Sequence, residues 1–163
     1  MIIAYIIAGG IILFGVCKIV KNKKKVKDII FRVVPIKYLI GSDIRYIFNV
    51  INKIRKLLNL KVLESDKKTT LLAIERNKEM IFENKVSHEL AADEIGELLE
   101  LGADSVGEII GYKYRTAEAC INAWMKSEGH YRQIIKTDYD WCGVSVETDK
   151  NGYKYYCVLF GNE

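Results

Sequence analysis

Histidine, proline and cysteine are scarce in this chain, and acidic residues are almost missing from its first 61 positions. Two histidines occur among 163 residues, so any imidazole chemistry falls to His88 and His130. A single proline, Pro35, and the lack of internal repeats or low-complexity tracts beyond one lysine cluster exclude repeat architectures. The four cysteines show no CxxC spacing, which excludes the paired-thiol metal and redox motifs. With Cys17 in an apolar N-terminal run, Cys120, Cys142 and Cys157 leave either one bridge and a free thiol or three buried thiols. Cys142 and Cys157 fall on neighbouring expected strands, where disulfide geometry is poor, so packed thiols are expected there. No nucleophile with a base and an orienting third group stands out. Ser127 lies near His130 in sequence, but three residues across a helix end define no triad.

What is present is unevenly distributed. Residues 1–61 carry 13 Lys and Arg against 2 Asp and Glu, and residues 62–163 carry 12 against 19. The formal net charge of +4 thus joins two electrostatically different parts near Lys61. The first part opens with IIAYIIAGGIILFGVCKIV, residues 2–20, apolar except for Lys18 and followed at once by KNKKKVK. A helix of that length crosses a bilayer with every backbone polar group satisfied and its terminal lysine reaching the interface. A cleaved signal peptide would carry positive charge before its apolar core, and a lipoprotein site would need a small residue where Val16 precedes Cys17. The expected organisation is a transmembrane anchor over residues 1–20, a basic juxtamembrane segment over 21–43 and one domain over 44–163. Residues 28–43 mix basic and apolar side chains, as a membrane-surface segment or a solvated linker would. Beside a membrane span, and with no nucleic-acid-reading module after them, the lysines suit lipid headgroups rather than nucleic acid. Under the positive-inside rule they favour a cytoplasmic domain.

Within the domain, Ile44, Ile47, Ile51, Ile54 and Leu58 recur at intervals of three and four. That spacing predicts a helix capped by Ser42 or Asp43 and ending near Asn59. A second helix is expected over about residues 67–84, with Leu71, Leu72, Ile74, Ile81 and Phe82 on its apolar side. A third is expected over about 89–101, carrying Leu90, Ile95, Leu98 and Leu99 and ended by Gly102. A fourth begins near Thr116, brings Ala117, Cys120, Ile121 and Trp124 to one face, with Trp124 in the core, and stops at Gly129. The period then changes to two: residues 141–147 and 153–160 alternate as strands around an Asn151-Gly152 turn. Helices followed by a hairpin give an α+β or layered α/β pattern.

Four short stretches carry more than packing. Asn52 and Arg55 form N-x-x-R, with Leu63 beyond; KVSH ends in Ser87-His88; SVGEII holds Gly107-Glu108; AWMKSEGHYRQI holds Trp124, Ser127, Gly129 and His130. In this order and spacing, with Gly143-Val144 and the aromatic strand ending in Phe160, residues 47–161 resemble the CAP superfamily. That fold is shared by cysteine-rich secretory proteins, venom allergens and plant pathogenesis-related proteins, and the resemblance is to its compact bacterial branch. It implies a three-layer α/β/α sandwich with a small, mainly antiparallel sheet. It also implies a cleft lined by His88, Glu108, Ser127 and His130. Ser127 stands where many eukaryotic relatives have an acid, and Ile109 where the family's Gly-Glu-Asn motif has asparagine.

Two neutral imidazoles and one carboxylate suit a divalent ion with an open position for water, and zinc suits nitrogen with a single oxygen. The implied cleft is therefore expected to hold a divalent cation, zinc foremost, on His88, Glu108 and His130, or to take a small-molecule, lipid or peptide ligand. The domain would then be a membrane-anchored binding module. A competing reading is a metal-assisted hydrolase of peptidase type with Glu108 as base. A third is a histidine pair that only ties two loops together. Tyr112, Tyr114 and Tyr131 flank the motif residues, either along the groove or in the packing. Gly129 is expected to turn the chain so that His130 points into the cleft. Family habit sets such domains outside the cytoplasm, against the lysines, and the extracytoplasmic side is the expectation taken.

Overall fold

In the computed structural model the described residues are 43–162, together with the backbone of a two-residue strand pair, Ile6–Ile7 with Gly10–Ile11. That pair is extended backbone at four positions of the run expected to be a transmembrane helix. The rest of that run, and the juxtamembrane segment through residue 42, lie outside the described residues. Among the described residues no helix is long and apolar enough to cross a membrane.

The elements in chain order are α1 (Asp43–Leu57), β1 (Glu64–Ser65), α2 (Lys67–Phe82), a 3-10 turn (His88–Ala91) running into α3 (Ala92–Glu100), β2 (Val106–Tyr112), α4 (Ala117–Lys126), α5 (Glu128–Ile134), β3 (Trp141–Thr148) and β4 (Lys154–Gly161). The domain's sheet has the order β1-β3-β4-β2; β1 runs parallel to β3 and the other neighbours are antiparallel. Alternation along β4 divides the core between two helical layers. Tyr156, Val158 and Phe160 face α1, α4 and α5 through Ile47, Ile51, Ile54, Ile121 and Trp124, while Tyr155, Cys157 and Leu159 face Leu72, Ala73, Met80 and Leu98 of α2 and α3. The architecture is thus helix, sheet, helix, with a sheet made mixed by one short parallel pair.

Helix α2 starts on Asp66, whose carboxylate accepts from the Thr69 amide and hydroxyl. Its buried face differs from the expected one. Thr69, Leu72, Ala73, Arg76, Asn77 and Met80 are buried, whereas Leu71 and Phe82 are 52% and 86% exposed. The reason is the closeness of α2 to β3. A Cβ at Gly143 would strike the backbone of Thr69 and Thr70, and Asn77 Nδ2 donates to Ser145 Oγ at 2.9 Å. That contact selects small and polar residues, not long apolar ones. The third helix also begins later than expected: residues 88–91 form the 3-10 turn, capped by Ser87, and in α3 Glu94 and Leu98 are buried while Leu99 is exposed.

The expected fourth helix is two helices. Ser127, with φ −77° and ψ 126°, closes α4 and caps α5 through its side-chain oxygen, which accepts from the His130 amide. Gly129 lies inside α5 with open space around it, so the turn belongs to Ser127 and not to the glycine. Strand β2 was hidden in a sequence with two glycines and a carboxylate. Gly107 and Gly111 lie where a Cβ would meet Tyr139 and Cys120, so their absent side chains let α4 and the chain after α5 settle on the sheet. Trp124 is in the core, as expected, with Nε1 donating to the Ile110 carbonyl at 2.7 Å.

The N-x-x-R residues bind the layers together. Asn52 pairs with both backbone groups of Leu63, at 2.7 and 2.9 Å. Arg55 is wholly buried and donates to the carbonyls of Lys61, Ile134, Lys136 and Tyr139. Cys120, Cys142 and Cys157 are buried free thiols; Cys142 lies opposite Phe160, and Cys157 opposite Ser145.

Candidate functional site

Strand β2 is an edge of the sheet, and the 3-10 turn of one layer and α5 of the other both reach it. Glu108, on β2, is 8% exposed. Its Oε1 accepts from Arg76 Nε of α2 at 2.8 Å, and its Oε2 lies 2.6 Å from His88 Nδ1. Arg76 has no exposed surface; its remaining nitrogens donate to Glu79 Oε2, at 2.8 Å, and to the Ser87 carbonyl. A buried guanidinium held by two carboxylates and a carbonyl is the condition under which such a charge is tolerated.

His88 is largely solvent-accessible, with 57% of its side chain exposed. From α5, His130 approaches until the ring centroids are 6.1 Å apart, with an interplanar angle of 47°. His88, Glu108, Ser127, Gly129, His130 and Gln133 line a pocket of about 410 Å³. All four residues expected in the cleft are therefore gathered at one place. Of the flanking tyrosines, Tyr131 is in the core, Tyr112 packs against Tyr153 and Tyr155, and Tyr114 packs at the core's edge; none lines the pocket.

Burial, and then the charge of His88, lower the pKa of His130, which keeps its imidazole neutral at neutral pH. Burial, with the charges of Glu79 and Glu108 added, raises that of Glu94 beside this cluster. A carboxylate only accepts hydrogen bonds, so a neutral His88 facing Glu108 Oε2 through Nδ1 would carry its ring hydrogen there and leave Nε2 bare.

This changes the part Glu108 can play. Each of its oxygens already faces one partner, so in the expected ligand set of His88, Glu108 and His130 an ion would have to share this carboxylate with Arg76 and His88. Among the described residues no group of three or more His, Cys, Asp or Glu is gathered so as to hold a metal ion. The donors that fit an ion are the two imidazoles, with Glu108 as the group that orients one of them. Ser127 Oγ caps the backbone N–H of His130 at 3.5 Å, so it is tied to the helix start. Sequence reasoning missed Arg76 and Gln133. Arg76 does have a signal, since it lies midway between Leu72 and Met80 on one helical face.

The sequence profile of CAP, the Cysteine-rich secretory protein family, matches residues 48–160. The uncharacterized membrane protein YlbC of Bacillus subtilis is 32% identical over 122 residues, which are 71% of this chain and 33% of that protein. The chain thus spans about a third of that relative's length. An outer surface protein of Borrelia burgdorferi has a similar fold, with a TM-score of 0.69 and 24% identity, covering 80% of this chain and 96% of that one. An extracellular protein containing an SCP domain from Bacillus anthracis aligns with a TM-score of 0.67 and 26% identity, covering 80% of this chain and 44% of that one.

Proposed function

Because this chain belongs to the CAP, or cysteine-rich secretory protein, family, we propose that it is a membrane-anchored binding module whose edge pocket takes its ligand through His88 and His130. The observation that carries the reading is the 6.1 Å spacing of two imidazoles that come from opposite helical layers to line one pocket. With metal–nitrogen bonds of about 2.0–2.1 Å, two rings so spaced can share one divalent ion, and zinc is the nitrogen-preferring choice. A bound ion supplies an electrophilic anchor for a donor atom of a small-molecule, lipid or peptide ligand. The chain's own part is to keep His130 neutral by burial and to hold His88 with its bare nitrogen available. A carboxylate behind a histidine fixes the ring and raises its basicity as a ligand.

The hydrolase alternative draws no support from this arrangement. As a base, Glu108 would have to act through a carboxylate already shared between Arg76 and His88. The anchor rests on the apolar run over residues 2–20 and on the name of the Bacillus subtilis relative, a membrane protein. The extracytoplasmic side rests on the similar Bacillus anthracis protein, which is described as extracellular.

Calorimetric titration of zinc into the full chain in detergent tests the pocket. His88→Ala and His130→Ala are each expected to weaken zinc binding at least about tenfold. Equal affinity in the parent and both variants would remove the reading of an imidazole-held ion.

A further inference from the structure

The most heavily engaged side chain around the pocket belongs to a residue that does not line it. Arg76 reaches three partners on three different pieces of chain: Glu108 on β2, Glu79 one turn along α2, and the carbonyl of Ser87, the residue before His88. His88 is thereby held twice, through the backbone that precedes it and through the carboxylate bonded to its ring.

We propose that Arg76 is the positioning residue of the pocket: gripping Glu108 from behind, it commits the carboxylate to His88 Nδ1 and so decides that the bare Nε2 is what a ligand meets. The use of that nitrogen rests on the binding function proposed above; the positioning itself does not. Arg76 Nε takes Oε1, which leaves Oε2 for the ring. A carboxylate cannot donate, so the ring nitrogen facing it must. Without the grip, Glu108 would be free to turn into the pocket and act there as an oxygen ligand or a base. With it, the pocket offers nitrogen.

Glu108→Gln separates this role from simple packing. Glutamine keeps the shape but presents one acceptor and one donor end. Arg76 Nε, fully buried, has no water to turn to and claims the amide oxygen. The amide NH2 then faces His88 Nδ1, which becomes the acceptor, and the ring hydrogen moves to Nε2. The full chain has two histidines, so nitrogen-15 spectra of the rings contain two imidazoles, told apart with His130→Ala. At neutral to mildly basic pH without metal, the parent is expected to show His88 protonated on Nδ1, Glu108→Gln to show it on Nε2, and Glu108→Gln with Arg76→Met to show a mixture.

A Nδ1-protonated ring persisting in Glu108→Gln, or a Nε2-protonated ring in the parent, overturns the proposal. Should Glu108→Gln fail to fold, Arg76→Lys keeps the buried charge but cannot reach all three partners. It is expected to give a mixed His88 tautomer, and an unmixed Nδ1–H form there also overturns the proposal. Zinc titration of Glu108→Gln is expected to lose about 10–100-fold in affinity. If the tautomer inverts while the parent binds no zinc, the positioning role stands and the ligand reading falls. If zinc binds and the tautomer does not invert, the outcome is the reverse.

Discussion

Glu94 is a carboxylate that the fold holds against its own interest. It is 8% exposed, its Oε2 has no hydrogen-bond partner among the described residues, and the guanidinium of Arg76 is already bonded to Glu79 and Glu108. Burial first, and the charges of Glu79 and Glu108 after it, lift its pKa. A carboxyl whose folded pKa lies above its unfolded value of about 4.3 favours the folded state at low pH, and that contribution is lost as pH rises through the folded pKa. Above the folded pKa the buried carboxylate therefore carries a desolvation cost, partly offset by its own backbone N–H and by the charge of Arg76. Glu94→Gln is expected to raise the melting temperature near neutral pH, with a smaller gain near the unfolded carboxylate value. Melts of both proteins at the two pH values check this, and an equal gain at both would contradict it. Little at this scale was legible beforehand. The place of Arg76 between Leu72 and Met80 hints at its burial in sequence. Only contact with Glu108, 32 positions away, shows what it holds.

Elements were legible where one period dominated. The three-and-four spacing of α1 gave its place because it presents apolar residues to one core face, and the Asn151-Gly152 turn placed β3 and β4 on either side of it, although β4 is buried on both faces. Strand β2 carries Gly107, Glu108 and Gly111, chosen for close approach and for the site, and so lacks a strand's usual composition. Helix α2 was found but its face was misjudged, because Thr69, Arg76 and Asn77 are buried through hydrogen bonds. The joint between α4 and α5 was assigned to the glycine, whereas a serine cap makes it. Ser127→Ala removes the acceptor for the His130 amide at the start of α5. It is expected to cost about 0.5–1 kcal/mol, read as a lower denaturation midpoint at unchanged slope. Ser127→Asp, which can cap equally, is expected to hold the parent's midpoint. An unchanged midpoint in Ser127→Ala would place the joint's stability elsewhere.

For the whole molecule, the order of short motifs was the informative signal: a likeness read over residues 47–161 coincides closely with the family match over 48–160. Periodicity alone would have yielded the layered class and no more. The buried thiols offer a way to find the domain's side of the membrane. Cys120, Cys142 and Cys157 are enclosed, and burial pushes the Cys142 thiol up to about 12, so these positions hold almost no reactive thiolate. In a chain carrying Cys17→Ser and Lys150→Cys, the exposed turn before β4 would be the reactive site. A membrane-impermeant maleimide is expected to label it on intact cells. Labelling that appears only after lysis would put the domain in the cytoplasm.

One imidazole of the pocket is carried by each helical layer, and they meet past the rim of the sheet. An occupant bonded to both rings is therefore a clasp between the layers. Prising one layer from the other would first require letting it go, so resistance to unfolding would climb with the logarithm of the occupant's concentration. Its escape, in turn, would be timed by how often that rim springs open.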